Sequence, residues 1–240
     1  MFGFVASALA TTCASVFVLV AIVEPDPSQL PDPHRSQPDP SWGPPPEESQ
    51  GRRDANLTRP ARANCPEDAA EYFFAPGTFN LDDAFQREWY GSQLNAMRQK
   101  SMSCGRQDGD SIYRFTWLRS FHQPMVVQVS RTGEEVRITG VELDGKGGYE
   151  PGAVVTTVNR RLSVRQWTTL TSGLARAAFW GMRTEGKSEG EDGARWILEA
   201  RHGNSYHVVN RWSPREGPFR EACLRFLRLA GLMPADDYVY

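Results

Sequence analysis

Between Asp192 and Pro214 the chain reads DGARWILEARHGNSYHVVNRWSP, and the Gly203-Asn204 pair at its centre constrains the fold more than any other feature. Glycine tolerates positive φ without cost and asparagine at modest cost, so the pair favours a primed two-residue turn. Strand-forming residues flank it, Trp196-Ile197-Leu198-Glu199 before the turn and the aromatic and β-branched run from Tyr206 to Trp212 after it. Such a turn leaves one register, with Trp196 opposite Arg211, Glu199 opposite Val208 and Ala200 opposite His207. His207 and Glu199 then fall on opposite faces of the hairpin. The net charge of −2, with no clustered basic face, argues against a nucleic-acid partner.

The first part of the chain is of a different kind. Phe2 to Val23 carries no charged side chain and as a helix would reach about 33 Å, enough to span a bilayer. The leading expectation is an uncleaved transmembrane anchor over residues 1–23. A cleaved signal peptide competes with it, and a buried core helix is the third reading; the segment lacks the basic n-region and small cleavage-site residues of a signal peptide. Residues 24–66 hold eleven of the 17 prolines, which predicts a disordered, extended tether reaching on the order of 100 Å. Pro44-Pro45-Pro46 also suits a proline-recognising module, and Asn56-Leu57-Thr58 matches a glycosylation acceptor. An N-terminal anchor of this kind leaves residues 67–240 as a globular domain outside the cytoplasm, single-pass at the inner (cytoplasmic) membrane and facing the periplasm or exterior. The chain would be secreted if the segment is cleaved.

Within 67–240 the pattern predicts helix, four strands, helix, hairpin, helix. The first helix begins at the capping residues Asn80 to Asp83, with Leu81, Phe85 and Trp89 on its buried face, and continues through Leu94 and Met97. Strands follow over Ile112–Phe121, Met125–Ser130, Val136–Leu143 and Ala153–Arg160, and in the first Tyr113, Phe115 and Trp117 alternate with Arg114, Thr116 and Leu118. Gly145-Lys146-Gly147-Gly148 lacks the spacing of a phosphate loop and reads as a turn. Ser163 and Gln166 form a capping box for a helix running to about Trp180, and Pro218 opens a last helix that Gly231 closes. The fold class is therefore α+β, an antiparallel sheet of about six strands with about three helices packed on one face.

The chemistry in the sequence is sparse. Among the cysteines, Cys13 lies in the apolar segment and Cys223 on the core stripe of the last helix. That leaves Cys65 and Cys104, whose pairing outside the cytoplasm would close a loop worth about 4 kcal/mol, although three connectivities stay open among Cys65, Cys104 and Cys223. Neither C-x-x-C nor H-x-x-x-H occurs, so no metal site is predicted, and nothing calls for a cofactor. His122 and His207 are the histidines in core elements; either could act as a general base if a carboxylate such as Glu199 or Asp192 oriented it, and a structural role is the other reading. Arg211 facing Trp196, with Trp212 beside it, predicts a cation–π cluster that could also grip an anionic or carbohydrate ligand.

Taken together, YRFTWLRSFHQP, DGARWILE and YHVVNRWSP resemble a family of uncharacterised bacterial proteins that share these three signatures and a closing helix. The resemblance covers about residues 110–232 and implies a bacterial source, but it brings no activity with it. The expectation for function is a membrane-tethered extracytoplasmic binding or assembly module, with Trp196, His207, Arg211 and Trp212 as its candidate surface and an envelope protein or carbohydrate as partner. The alternatives are an envelope hydrolase using His122 or His207 and a structural spacer.

Overall fold

The structure, a computed structural model, describes residues 59–60, 73–79, 83–104, 109–187, 190, 192–235 and 238–240, with backbone only at 59–60. The anchor and most of the tether expected from the sequence lie outside them. Among the described residues no helix is long and apolar enough to cross a membrane.

Seven strands form one sheet: β1 (Arg59–Pro60), β2 (Ser111–Arg119), β3 (Met125–Thr132), β4 (Glu135–Leu143), β5 (Val154–Leu162), β6 (Ala194–His202) and β7 (Ser205–Trp212). Their order is β1-β7-β6-β2-β3-β4-β5, and every neighbouring pair is antiparallel. The six predicted strands are all present, in an α+β fold. The hairpin of β6 and β7 takes the predicted register, with Trp196 opposite Arg211 and Glu199 opposite Val208. Gly203 alone supplies positive φ, at 53°, the φ signature of a type II′ turn with glycine first. The two-residue strand β1 comes from the stretch read as tether and pairs with Tyr206 and Ser205. The sheet thus recruits chain from before residue 67.

Helices cover both faces of the sheet, not one. α2 (Val164–Arg176) and α3 (Pro218–Ala230) pack on the face carrying Tyr113, Phe115, Trp117, Trp196 and Leu198. α1 (Asp83–Ala96) packs on the other through Tyr90 and Leu94, joined just beyond its end by Met97, against Ile112, Leu118, Val126 and Ile197. The reason lies in β2, where Ile112 and Leu118 give the second face its own apolar surface, so that all nine residues are buried. Arg114 and Thr116, which alternate with the aromatics as solvent-facing positions would, are therefore interior.

The α1 stripe is likewise displaced from expectation. Phe85 is exposed, while Gln86, Tyr90, Gln93 and Leu94 face inward, and Leu81 lies outside the described residues. α2 keeps its capping box, with Ser163 Oγ accepting from Gln166 N at 3.2 Å and Gln166 Oε1 from Ser163 N at 2.9 Å. It stops at Arg176 rather than Trp180, because Ala178 turns left-handed and a short 3₁₀ turn, Phe179–Gly181, follows. α3 begins at Pro218 and is closed by Gly231 at φ 73°, as predicted.

At the start of α1, Asp83 gathers the preceding loop, accepting from Gly77 N at 3.0 Å, Phe79 N at 2.9 Å and Arg87 Nε at 2.8 Å. Burial alone would raise its pKa, but the two backbone donors and Arg87 together hold the carboxyl below its usual value. A carboxyl with a depressed folded pKa adds stability above its unfolded value, and that stability fades as pH falls through the folded one. Asp83→Asn is expected to cost about 1–2 kcal/mol at pH 7 and less at pH 3. Urea midpoints of variant and parent at the two pH values check this, and an unchanged difference refutes it.

Candidate functional site

The four hairpin residues do not share one surface. Trp196 is fully buried between Phe115 and Trp117, with ring centroids 5.4 and 5.2 Å away, and its indole N–H donates to the Tyr240 carbonyl at 2.9 Å. His207 is buried beside the Phe179 and Trp180 rings, at 5.0 and 6.0 Å. Trp212 faces the other side of the sheet, as strand alternation requires. Arg211 is spent on the loop before β6, donating to the carbonyls of Thr184 at 2.9 Å and Arg183 at 2.8 Å. Its cation–π contact is consequently with Phe219, at 5.8 Å. Trp196 receives Arg220 at 5.6 Å instead, and Trp212 its cross-strand partner Arg195 at 4.8 Å. β6 is covered on both faces, so Trp196 becomes core, whereas Arg211 and Trp212 at the end of β7 are half-buried.

On the α1 face a charged pair is sealed inside the sheet. Arg114 donates to Glu199 through Nε at 2.7 Å and through Nη2 at 2.8 Å, and both side chains are 0% exposed. Tyr206 Oη donates to Glu199 Oε1 at 2.9 Å, and Arg114 Nη1 to the Lys100 carbonyl at 2.7 Å. Burial pushes the Glu199 carboxyl up, while Arg114 and Tyr206 pull it down. Glu199 and His207 stand on opposite faces, as the register dictates, and do not meet.

An open site lies elsewhere, at the end of β2. A recess of about 530 Å³ is walled by Arg119, His122 and Gln123 from β2 and its turn, by Glu142 and Thr156 from β4 and β5, and by Leu232 to Pro234 and Tyr238 beyond α3. Arg119 is 2% exposed. Its guanidinium lies over the Trp117 ring at 4.5 Å, and Nη2 donates to the Gln123 carbonyl at 3.0 Å. Nη1 makes a long contact of 3.5 Å to the Tyr238 carbonyl, and Nε has no hydrogen-bond partner. Among the described residues no carboxylate forms an ion pair with it. Burial lowers its pKa, offset in part by Tyr240 and Glu142.

His122 Nδ1 shares a hydrogen bond of 2.6 Å with Tyr240 Oη, and its ring packs against Tyr238 at 4.8 Å. Burial, then the charges of Arg119 and Lys146, lower its pKa, so the imidazole is neutral at pH 7. Glu142 Oε2 accepts from Thr156 Oγ1 at 3.1 Å, and His122 bonds to Tyr240 rather than to this carboxylate. The recess thus offers a buried cation, a neutral imidazole, the Glu142 carboxylate and the hydroxyls of Thr156 and Tyr238.

The chain matches no protein-family model and no curated protein. Among the described residues no group of three His, Cys, Asp or Glu could hold a metal ion. Cys104 is disulfide-bonded and takes a weak bond from Ser103 Oγ at 3.7 Å, whereas Cys223 is a buried free thiol. Cys65 lies outside the described residues. Sequence reasoning missed Arg119, Gln123, Glu142 and Tyr238. One signal pointed there, since Arg119, His122 and Gln123 all fall in the signature YRFTWLRSFHQP.

Proposed function

We propose that this chain is a binding module held at a bacterial inner membrane by residues 2–23 and displayed outside the cytoplasm by its proline-rich tether, and that its ligand seats in the Arg119 recess. The observation that carries this reading is a buried guanidinium that forms no ion pair among the described residues, at the wall of a pocket-sized recess. Burying an unpaired charge costs several kcal/mol. Stacking on Trp117 returns about 0.5–2 kcal/mol, so an anionic ligand would offset most of the remainder. The disulfide at Cys104 supports an oxidising compartment, and we take Cys65 as its partner. The resemblance to the bacterial family, whose first signature ends at this recess, supports the same site.

The test uses the full chain in its native envelope. Fractionation is expected to recover it with membranes, and deletion of residues 2–23 to release it. A photoreactive residue at Tyr238 should crosslink a ligand that Arg119→Gln removes, and the same group at Asn204 on the hairpin tip should capture nothing dependent on Arg119. Capture from Asn204 alone, or full-length chain free in the cytosol, defeats the proposal.

One observation favours a second reading, an envelope hydrolase: His122 is neutral and lines the same recess as Glu142. It requires His122→Ala to abolish turnover of a chromogenic ester or glycoside by the full chain.

A further inference from the structure

We infer that the ligand of the recess is an acidic saccharide, whose sugar rings bear single carboxylates. This rests on the binding reading above and deepens it. Arg119 fixes the charge. Its guanidinium is 2% exposed, has an unused Nε and no ion pair among the described residues, and its planar fork matches a carboxylate. Glu142 in the same wall disfavours a densely anionic group such as a phosphate, so the charge to be bound is one carboxylate set among neutral groups.

The neutral part is read from the other walls. Tyr238 lines the recess and is 44% exposed, and the C–H face of a sugar ring packs on an aromatic side chain while its hydroxyls reach polar neighbours. Those neighbours are present: the Glu142 carboxylate, bonded to Thr156 Oγ1, keeps lone pairs for hydroxyl donors, and Gln123 lines the same wall. A simple carboxylate would use Arg119 and leave the Tyr238 ring idle.

The experiment measures binding of the full chain in lipid nanodiscs to immobilised oligomers of galacturonate, glucuronate, mannuronate and neuraminate, to their carboxyl-reduced counterparts, to succinate, and to a peptide with a free C-terminal carboxylate. At least one carboxylated oligomer should bind at least tenfold more tightly than its reduced form and than succinate. Arg119→Gln should erase the preference for the carboxylated form. Tyr238→Ala, an exposed position that leaves the core intact, should weaken both saccharide forms about tenfold. Equal binding of charged and reduced oligomers overturns the inference, as does tightest binding of succinate or of the peptide. If no oligomer binds while crosslinking from Tyr238 still depends on Arg119, the saccharide inference fails and the recess reading stands; if both fail, both are wrong.

Discussion

Glu199→Ala is expected to lower the unfolding free energy by about 3–5 kcal/mol. The carboxylate meets Arg114 at 2.7 and 2.8 Å inside a sheet that excludes water from both faces. Removing it leaves a guanidinium bonded to the Lys100 carbonyl, a dipole rather than a counter-charge, and strips Tyr206 of its acceptor. The pair itself contributes far less than its loss costs, because desolvating two ions cancels most of their attraction. Replacing both, as Arg114→Met with Glu199→Leu, should therefore recover most of the stability that the single change loses. Equilibrium urea unfolding of the two variants and the parent measures this. A single variant within 1 kcal/mol of the parent would mean that water reaches the pair.

That ion pair also marks how far the sequence could be read. The hairpin register was legible because Gly203 and Asn204 determine it locally, and the Ser163–Gln166 box and the Pro218 and Gly231 ends of α3 are equally local signals. Arg114 and Glu199 are 85 residues apart and become neighbours only once β2 docks beside β6. Nothing short-range announces that docking. Alternation of Arg114 and Thr116 with aromatics is what a half-exposed strand shows, and only α1 on the second face turns those positions inward.

The site was less legible for a related reason. Trp196, His207, Arg211 and Trp212 sit close in sequence and look like a surface, but Trp196 and His207 are buried, and Arg211 and Trp212, half-buried, point to opposite faces of the sheet. The recess, by contrast, is assembled from the ends of β2, β4 and β5 and a tail more than a hundred residues later, each unremarkable by itself. Of its residues only His122 was singled out, as a possible base. The imidazole does line the recess, hydrogen-bonded to Tyr240 rather than to the carboxylate that general-base chemistry asks for.

Gly147→Ala is expected to cost about 3 kcal/mol and, unlike Glu199→Ala, to damage the recess directly. The Gly145 to Gly148 turn lies against the end of β2. A Cβ on Gly147 would stand 2.6 Å from Arg119 N and 2.7 Å from the Leu118 carbonyl carbon, and both obstacles are backbone. Neither can rotate away, so the turn must lift. Lifting it strains three contacts at once: Gly147 N to the His122 carbonyl at 3.0 Å, and the Gly147 carbonyl with Trp89 Nε1 at 2.8 Å and with Gln93 Nε2 at 3.4 Å. The first of these holds the loop that carries His122 and Gln123, so ligand capture from Tyr238 should fall together with stability. Gly181→Ala is the matched control, since a Cβ there meets nothing within 4 Å and no unusual φ is needed; it should leave both readouts unchanged. If Gly147→Ala unfolds at the parent's urea concentration, the turn does not press on β2 as described, and the positioning of Arg119 and His122 must come from the tail alone.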